Sequence, residues 1–466
     1  MTSGIDLPLA DLLLATGGRP TAALTEQHRS SVRFSNVVVD SREAAPGALF
    51  VALRGEQHDG HAFVRAALEL GAAAALVERA PDPGSNAALI VVPDTYLALQ
   101  DLGRFWRARL SPLVVGVTGS VGKTTTKEAI AQVLAPYRRV LKNEGNLNTE
   151  VGLPLTLLRA RPEHQVLVLE MGMYDVGDIR LLADIARPTI GVVTNVQPVH
   201  LERVGSIERV QQGKQELIEA LPADGVAVLN YDDPRVRAMV AVTAARAIGY
   251  GYAPDAEVRA EDAVGLGLDG VDFTLLHQDR RQRVHLRSLG VHSVQAALAA
   301  VAVALAAGLD FDQAAAGLEQ VTSAARIVVQ QGIRGARILD DTYNASPESA
   351  IAALNLLASL AGHRVAVLGD MFELGSYEET GHRRVGRRAG EVAHTLVTVG
   401  TRARWIAEEA RLSPHPPATI YEAADQAEAV AWLRGTLSAG DTVLVKGSRG
   451  MQMERVARAL VALPGD

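Results

Sequence analysis

Short aliphatic runs recur along this chain, and most are followed by a longer stretch with the apolar spacing of a helix. In the first half, residues 37–39, 73–77, 114–118, 166–170 and 190–194 read as strands, with helices predicted over 64–70, 94–110, 124–134 and 207–221. Residues 40–63, DSREAAPGALFVALRGEQHDGHAF, read as a loop, and 225–287 as further strands with an insertion. Beyond Arg326, runs at 337–339, 365–368, 396–399 and 442–445 alternate with helices, which predicts a doubly wound sheet. A chain of 466 residues is too long for one core. The expected fold class is therefore α/β in three domains: a small N-terminal α/β domain over 1–110, a central parallel-sheet domain over 111–325, and a C-terminal Rossmann-like domain over 326–466.

Composition narrows the chemistry. The net charge of −7 excludes a broadly basic nucleic-acid surface, so an anionic ligand has to be met by local clusters. The absence of cysteine excludes disulfides and thiolate metal sites and is compatible with a reducing compartment. Asp6 and Asp11 interrupt the apolar N-terminus, which has no basic segment, so no export signal is expected. Residues 294–309 are apolar apart from Gln295, yet they are short for a bilayer span and rich in alanine, which suits a packed helix. These features predict a soluble cytoplasmic protein.

Lysine is scarce: Lys123, Lys127, Lys142, Lys214 and Lys446 are the only ones, and arginine supplies the rest of the positive charge. A drift towards arginine should spare lysine where a point charge or a titratable amine is needed. Each survivor is a candidate, with chance retention the plainer explanation for Lys127 and Lys142.

The most informative stretch is VVGVTGSVGKTTTKEAI, residues 114–130. A strand ends at Thr118, Gly119, Ser120, Val121 and Gly122 form a turn, and Lys123, Thr124 and Thr125 open a helix. The two glycines let successive N–H groups face inward, the helix start adds partial positive charge, and Lys123 adds a full one. This is a cradle for a polyphosphate, and the Thr124 hydroxyl is placed to hold a magnesium ion. The general phosphate-loop pattern has glycine where this chain has Val117.

Other candidates lie at strand ends. Glu170 closes the run VLVLE, which delivers an acid to the sheet edge near a metal, while His200 follows the next strand and is equally readable as a loop histidine. Asn146 and Asn148 sit in a glycine loop and suit substrate amides or turns; Lys214 lies mid-helix, where periodicity does not separate a buried from a solvated lysine. Asp40, Ser41 and Arg42 suit a nucleotide or phosphate head group. The C-terminal unit has no GxGxxG and offers instead Asp341, Asp370, Lys446 and Arg449 at strand ends.

Taken in order, DSR with PGALFVAL and DGHAF, TGSVGKTTTKE, NLNTEVGLPLTLL, EMG, VHLERVGS, GKQEL, DDTYNASP, GDMFELG and VKGSRGMQME resemble the Mur ligase family along nearly the whole chain. DDTYNASP, GDMFELG and VKGSRGMQME set it apart from the member that adds the third peptide residue, whose DYAHTP and DNPR stretches are absent. The resemblance implies domains for a UDP-sugar substrate, for ATP and for the incoming amino component. It implies ATP-dependent amide formation between UDP-N-acetylmuramoyl-tripeptide and D-alanyl-D-alanine; a monomer is expected, and the charge and hydropathy above predict no nucleic-acid partner and no membrane insertion. It further implies two magnesium ions held with Thr124, Glu170, His200 and a carbamate on Lys214; Asp341 near the ATP ribose; Arg326 near the nucleotide; and closure about a hinge at 324–328. The family often has asparagine after His292, where this chain has Ser293, so adenine recognition stays unassigned. Another ligase of the family, of the diaminopimelate-adding or folylpolyglutamate type, and a nucleotide-driven ATPase on the same cradle remain the alternatives.

Overall fold

The structure is a computed structural model that describes residues 5–21, 23–24, 32–55, 58–79, 88–199, 201–322 and 327–462. His200, Arg326 and most of the expected hinge lie outside the described residues. Among the described residues, three large sheets arise from three consecutive stretches, besides a short antiparallel pairing of Leu7–Pro8 with Arg33–Phe34.

In the N-terminal sheet, the parallel strands Asn36–Val38, Ala48–Val51, Ala74–Val77 and Leu89–Val91 lie side by side, with Arg19–Pro20 antiparallel at the edge. Ala48–Val51 corrects the loop expected over 40–63. Its four residues are fully buried between two neighbours, and a run that short carries no period to reveal it.

The central sheet has nine strands, and Leu113–Thr118 lies between Val166–Glu170 and Ile190–Val193. Val115 and Val117 point to one face and Val114 to the other, so the near-continuous apolar run packs in both directions. On the first face lie the helices Lys123–Leu134 and Ser293–Ala306; on the second, Asp178–Ala186 and Ile207–Glu219. Residues 225–287 supply two more parallel strands and then three strands paired antiparallel as a meander. Ser293–Ala306 is the alanine-rich helix expected to be packed. Nearly every residue is buried, because alanine lets it approach its neighbours closely. No helix among the described residues is long and apolar enough to cross a membrane.

The C-terminal sheet runs Val328–Gln331, Arg337–Asp341, Asp441–Lys446, His363–Gly369, Thr395–Val399 and Thr419–Ala423. The first strand is antiparallel and the others are parallel. The last strand in sequence inserts between Arg337–Asp341 and His363–Gly369, which sets Lys446 opposite both Asp341 and Leu368. Such a switch in strand order opens a crevice at the carboxyl ends. That crevice faces the carboxyl ends of the central sheet. Gly375, at φ +52°, lies so close to Leu201–Val204 that a Cβ would sit 2.8 Å from the Glu202 nitrogen.

Ala300→Leu should overpack the helix interface and lower stability by about 1–3 kcal/mol in urea denaturation, with unchanged stability showing slack in the packing.

Candidate active site

Gly119 and Gly122 do different work. At Gly119 a Cβ would lie 1.8 Å from the Thr194 hydroxyl, whereas one at Gly122 would enter open space. Gly122 is needed for its backbone, which has φ +85° as the residue preceding the helix Lys123–Leu134. The expected row of inward-facing loop N–H groups is corrected. The Ser120 nitrogen donates to the Asn195 carbonyl at 2.9 Å and the Val121 nitrogen to Asn195 Oδ1 at 2.9 Å. Thr194 Oγ1 and Asn195 Nδ2 donate in turn to the Val121 carbonyl. The segment after the neighbouring strand thus sets the loop, and the anion-binding donors fall to the first turn of the helix. Lys123 Nζ caps the cradle from above by donating to the carbonyls of Gly119 (2.8 Å) and Ser120 (3.2 Å).

Glu170 is buried beside this loop, as the register of its strand with Leu113–Thr118 dictates. Thr124 Oγ1 donates to Glu170 Oε2 at 2.9 Å and Asn148 Nδ2 to Oε1 at 2.9 Å. Asn143, not anticipated from the sequence, brackets the main chain of Glu170: its Oδ1 accepts from the Glu170 nitrogen at 2.8 Å and its Nδ2 donates to the Glu170 carbonyl at 2.9 Å. Its only advance signal was its place at the end of a lysine-bearing strand, Val140–Lys142. Lys214, on Ile207–Glu219, is 2 % exposed, with no hydrogen bond or ion pair among the described residues. Burial first, and the nearby charge of Lys123 second, hold its ammonium form well below the usual lysine range.

Two clefts meet at the loop, with Val121 and Gly122 in the walls of both. The larger, of about 590 Å³, runs past Thr125, Asn195, Asn230, Ser293 and Asp341. The smaller, of about 290 Å³, has Lys123, Thr124, Asn146, Asn148 and Glu170 on one side and Tyr343, Asn344 and Arg449 on the other. Val199 and Ile327, the described neighbours of His200 and Arg326, line the smaller and the larger cleft respectively. Ser293 is spent locally, its hydroxyl donating to the Gly290 carbonyl at 2.8 Å.

Two C-terminal expectations change. Lys446 is 1 % exposed and lines neither cleft: its ammonium donates to Asp341 Oδ2 at 2.6 Å and to the Asn344 carbonyl at 2.9 Å. It therefore orients Asp341, whose other oxygen, Oδ1, is buried with no hydrogen-bond partner among the described residues. Asp370 also turns away from the clefts. Its Oδ1 accepts from the Arg402 and Ala403 nitrogens at 3.0 and 2.7 Å, where the helix Arg404–Arg411 begins, and burial raises its pKa above the usual carboxylate range. Arg449 does face the smaller cleft, with its guanidinium over the Tyr343 ring at 5.9 Å. Ser41 and Arg42 line neither cleft and lie on the N-terminal unit; the Arg42 guanidinium and main-chain nitrogen bind Asp40 and bring its pKa down to about 2.

Residues 117–304 match the Mur ligase middle domain, 325–449 the Mur ligase glutamate ligase domain, and 33–107 the Mur ligase family catalytic domain. The chain belongs to the Mur ligase family. A UDP-N-acetylmuramoyl-tripeptide--D-alanyl-D-alanine ligase of Synechocystis is 38% identical over 92% of this chain and 93% of its own length. A crystal structure of MurF from Acinetobacter baumannii superposes with a TM-score of 0.87 at 31% identity, covering 97% of this chain and 98% of that one. The MurF ligase of Thermotoga maritima in complex with ADP gives 0.80 at 32% identity, over 91% and 96%. The three-part α/β architecture is thus that of a Mur ligase.

Gly122→Ala should cost about 1–2 kcal/mol through its backbone alone. Gly119→Ala should cost more and release the Thr194 bond to the loop, and thermal denaturation of the two variants ranks them. Because Lys214 is depressed, the unfolded chain binds the extra proton between the folded pKa and the ordinary value of 10.5, and stability rises with pH through that window. Lys214→Met should accordingly raise the unfolding midpoint at pH 7 in buffer freed of carbon dioxide and flatten this pH dependence; a lower midpoint would contradict a neutral buried amine.

Proposed function

We infer that this Mur ligase joins D-alanyl-D-alanine to UDP-N-acetylmuramoyl-tripeptide at the expense of ATP, releasing ADP and phosphate during cytoplasmic peptidoglycan precursor synthesis. The observation that carries this reading is the meeting of two clefts at Gly122, one with room for a nucleoside and one lined by Lys123, Thr124 and Glu170. Relatives that match over nearly their whole length carry the same activity in their names. Residues 1–110 bind the UDP moiety, with Ser41 and Arg42 as contacts; 111–325 bind ATP; and 326–466 bring the dipeptide. One chain supplies both walls of the smaller cleft, which supports a monomer as the working unit.

ATP lies with its base and ribose in the larger cleft, where Asp341 Oδ1 is an acceptor for a ribose hydroxyl, and with its phosphates at the first turn of Lys123–Leu134. Arg326 keeps a place near the nucleotide. The residues fit magnesium, a hard cation that takes oxygen ligands: the Thr124 hydroxyl and the Glu170 carboxylate meet 2.9 Å apart in the wall of the smaller cleft and would hold it there. Thr124, Glu170 and His200 would hold two such ions, with Lys214 contributing as a carbamate. When bound, these ions supply positive charge where the transferring phosphoryl becomes more negative. The neutral amine of Lys214 is the form that captures carbon dioxide, and arginine has no equivalent chemistry.

In the first step a carboxylate oxygen of the tripeptide attacks the γ-phosphorus. The bond to the β–γ bridging oxygen breaks, ADP leaves with the electron pair, and an acyl phosphate remains. Lys123 offsets charge on the phosphoryl, and Asn146 and Asn148 orient the peptide end. In the second step the dipeptide amine attacks the acyl carbon, phosphate departs with the C–O bonding electrons, and the amine loses a proton. Tyr343 and Arg449 wall this cleft against water, which would otherwise hydrolyse the acyl phosphate. Closure of the C-terminal unit about residues 324–328 seals it further.

Phosphate release should require ATP, the UDP-linked tripeptide and D-alanyl-D-alanine together. Release without the dipeptide would mark a different ATPase, and release with diaminopimelate another ligase. Lys123→Ala and Lys214→Ala should each nearly abolish turnover, and formate should restore part of the activity of the second by standing in for the carbamate; full activity in Lys214→Ala would remove the carbamate.

A further inference from the structure

Two of the five lysines, Lys127 and Lys142, gather beside the phosphate-loop helix, and neither has a part in the mechanism above. Lys127 is one turn into the helix Lys123–Leu134 and only 1 % exposed. Its Nζ donates to the Asn143 carbonyl at 2.7 Å and lies 3.3 Å from Glu128 Oε1 and 3.9 Å from Glu170 Oε2. Glu128 is paired with Lys142 on its other oxygen, which ties the edge strand Val140–Lys142 to the helix.

Burying an ammonium is expensive unless charge and hydrogen bonds compensate it, and both are present here. The expense has a structural return. Asn143 is the residue whose side chain bonds the nitrogen and carbonyl of Glu170, and Lys127 holds Asn143 by its main chain. Lys127, Asn143 and Glu170 thus form one path from the helix to the carboxylate that Thr124 shares. Arginine would not fit: its planar fork is larger than the enclosed amine and cannot direct a compact charge at one carbonyl.

We propose that Lys127 is a positioning residue that fixes Glu170 opposite Thr124 for the magnesium that accompanies ATP. This rests on the magnesium–ATP reading of the site. A group that orients a metal ligand from behind typically changes metal affinity by about 10–100-fold.

The test is calorimetric titration of the full chain with a non-hydrolysable ATP analogue, with and without magnesium. In the unmodified protein magnesium should tighten binding; if it does not, the nucleotide reading fails and this inference with it. Lys127→Met should raise the magnesium concentration that gives half of the tightening by about 10–100-fold and leave the magnesium-free affinity unchanged. Glu170→Gln should lose the tightening, and Lys127→Met added to it should change nothing further. An unchanged magnesium requirement in Lys127→Met, an equal loss of affinity with and without magnesium, or an additive double variant would each overturn the proposal. Lys127→Gln, a shorter neutral donor, serves if Lys127→Met folds poorly, and should shift the requirement in the same direction.

Discussion

A carboxylate buried at the end of a parallel strand has to be surrounded by donors, and the central unit is arranged around that requirement at Glu170. Thr124 comes from the phosphate-loop helix, Asn148 from the asparagine loop, and Asn143 from the end of the neighbouring edge strand. Each of these elements is held in place partly by its bond to Glu170. The acid is therefore both the centre of a structural network and a group aimed into the cleft. The same bonds satisfy both of its oxygens, from Thr124 on one side and Asn148 on the other.

A similar economy governs the C-terminal unit. The late strand Asp441–Lys446 inserts beside Arg337–Asp341, and the register alone brings Lys446 to Asp341. The buried pair satisfies one carboxylate oxygen, and the other has no hydrogen-bond partner among the described residues. Asp370, on the far side of the inserted strand, is consumed by the start of the helix Arg404–Arg411, so strand-end acids with similar sequence settings reach opposite fates. What separates them is the element that packs against each one.

The few lysines of the chain share confined settings. Lys127, Lys214 and Lys446 are all buried, and Lys123 sits over the phosphate loop. Lys142, 37 % exposed at its side chain, is the least enclosed, yet it pairs with Glu128. Lys123, Lys127 and Lys446 each direct a compact amine at main-chain carbonyls, and burial holds the ammonium form of Lys214 well below the usual lysine range. A guanidinium suits neither setting.

The sequence by itself determined the local chemistry: the phosphate loop from Gly119 to Thr125, the acid ending the strand Val166–Glu170, the packed alanine-rich helix, and the order of motifs that marks a Mur ligase. These features are legible because their parts are close together in the chain or are written in the period of a single element. Only the tertiary structure decided that Ala48–Val51 is an inner strand, that Asn195, 74 residues from Val121, takes up the loop's N–H groups, and that Lys446 and Asp370 serve the fold before any ligand. Those outcomes depend on which strands become neighbours and in what register. Hydrophobic periodicity tells which face of a strand is buried, but not which residue lies across from it.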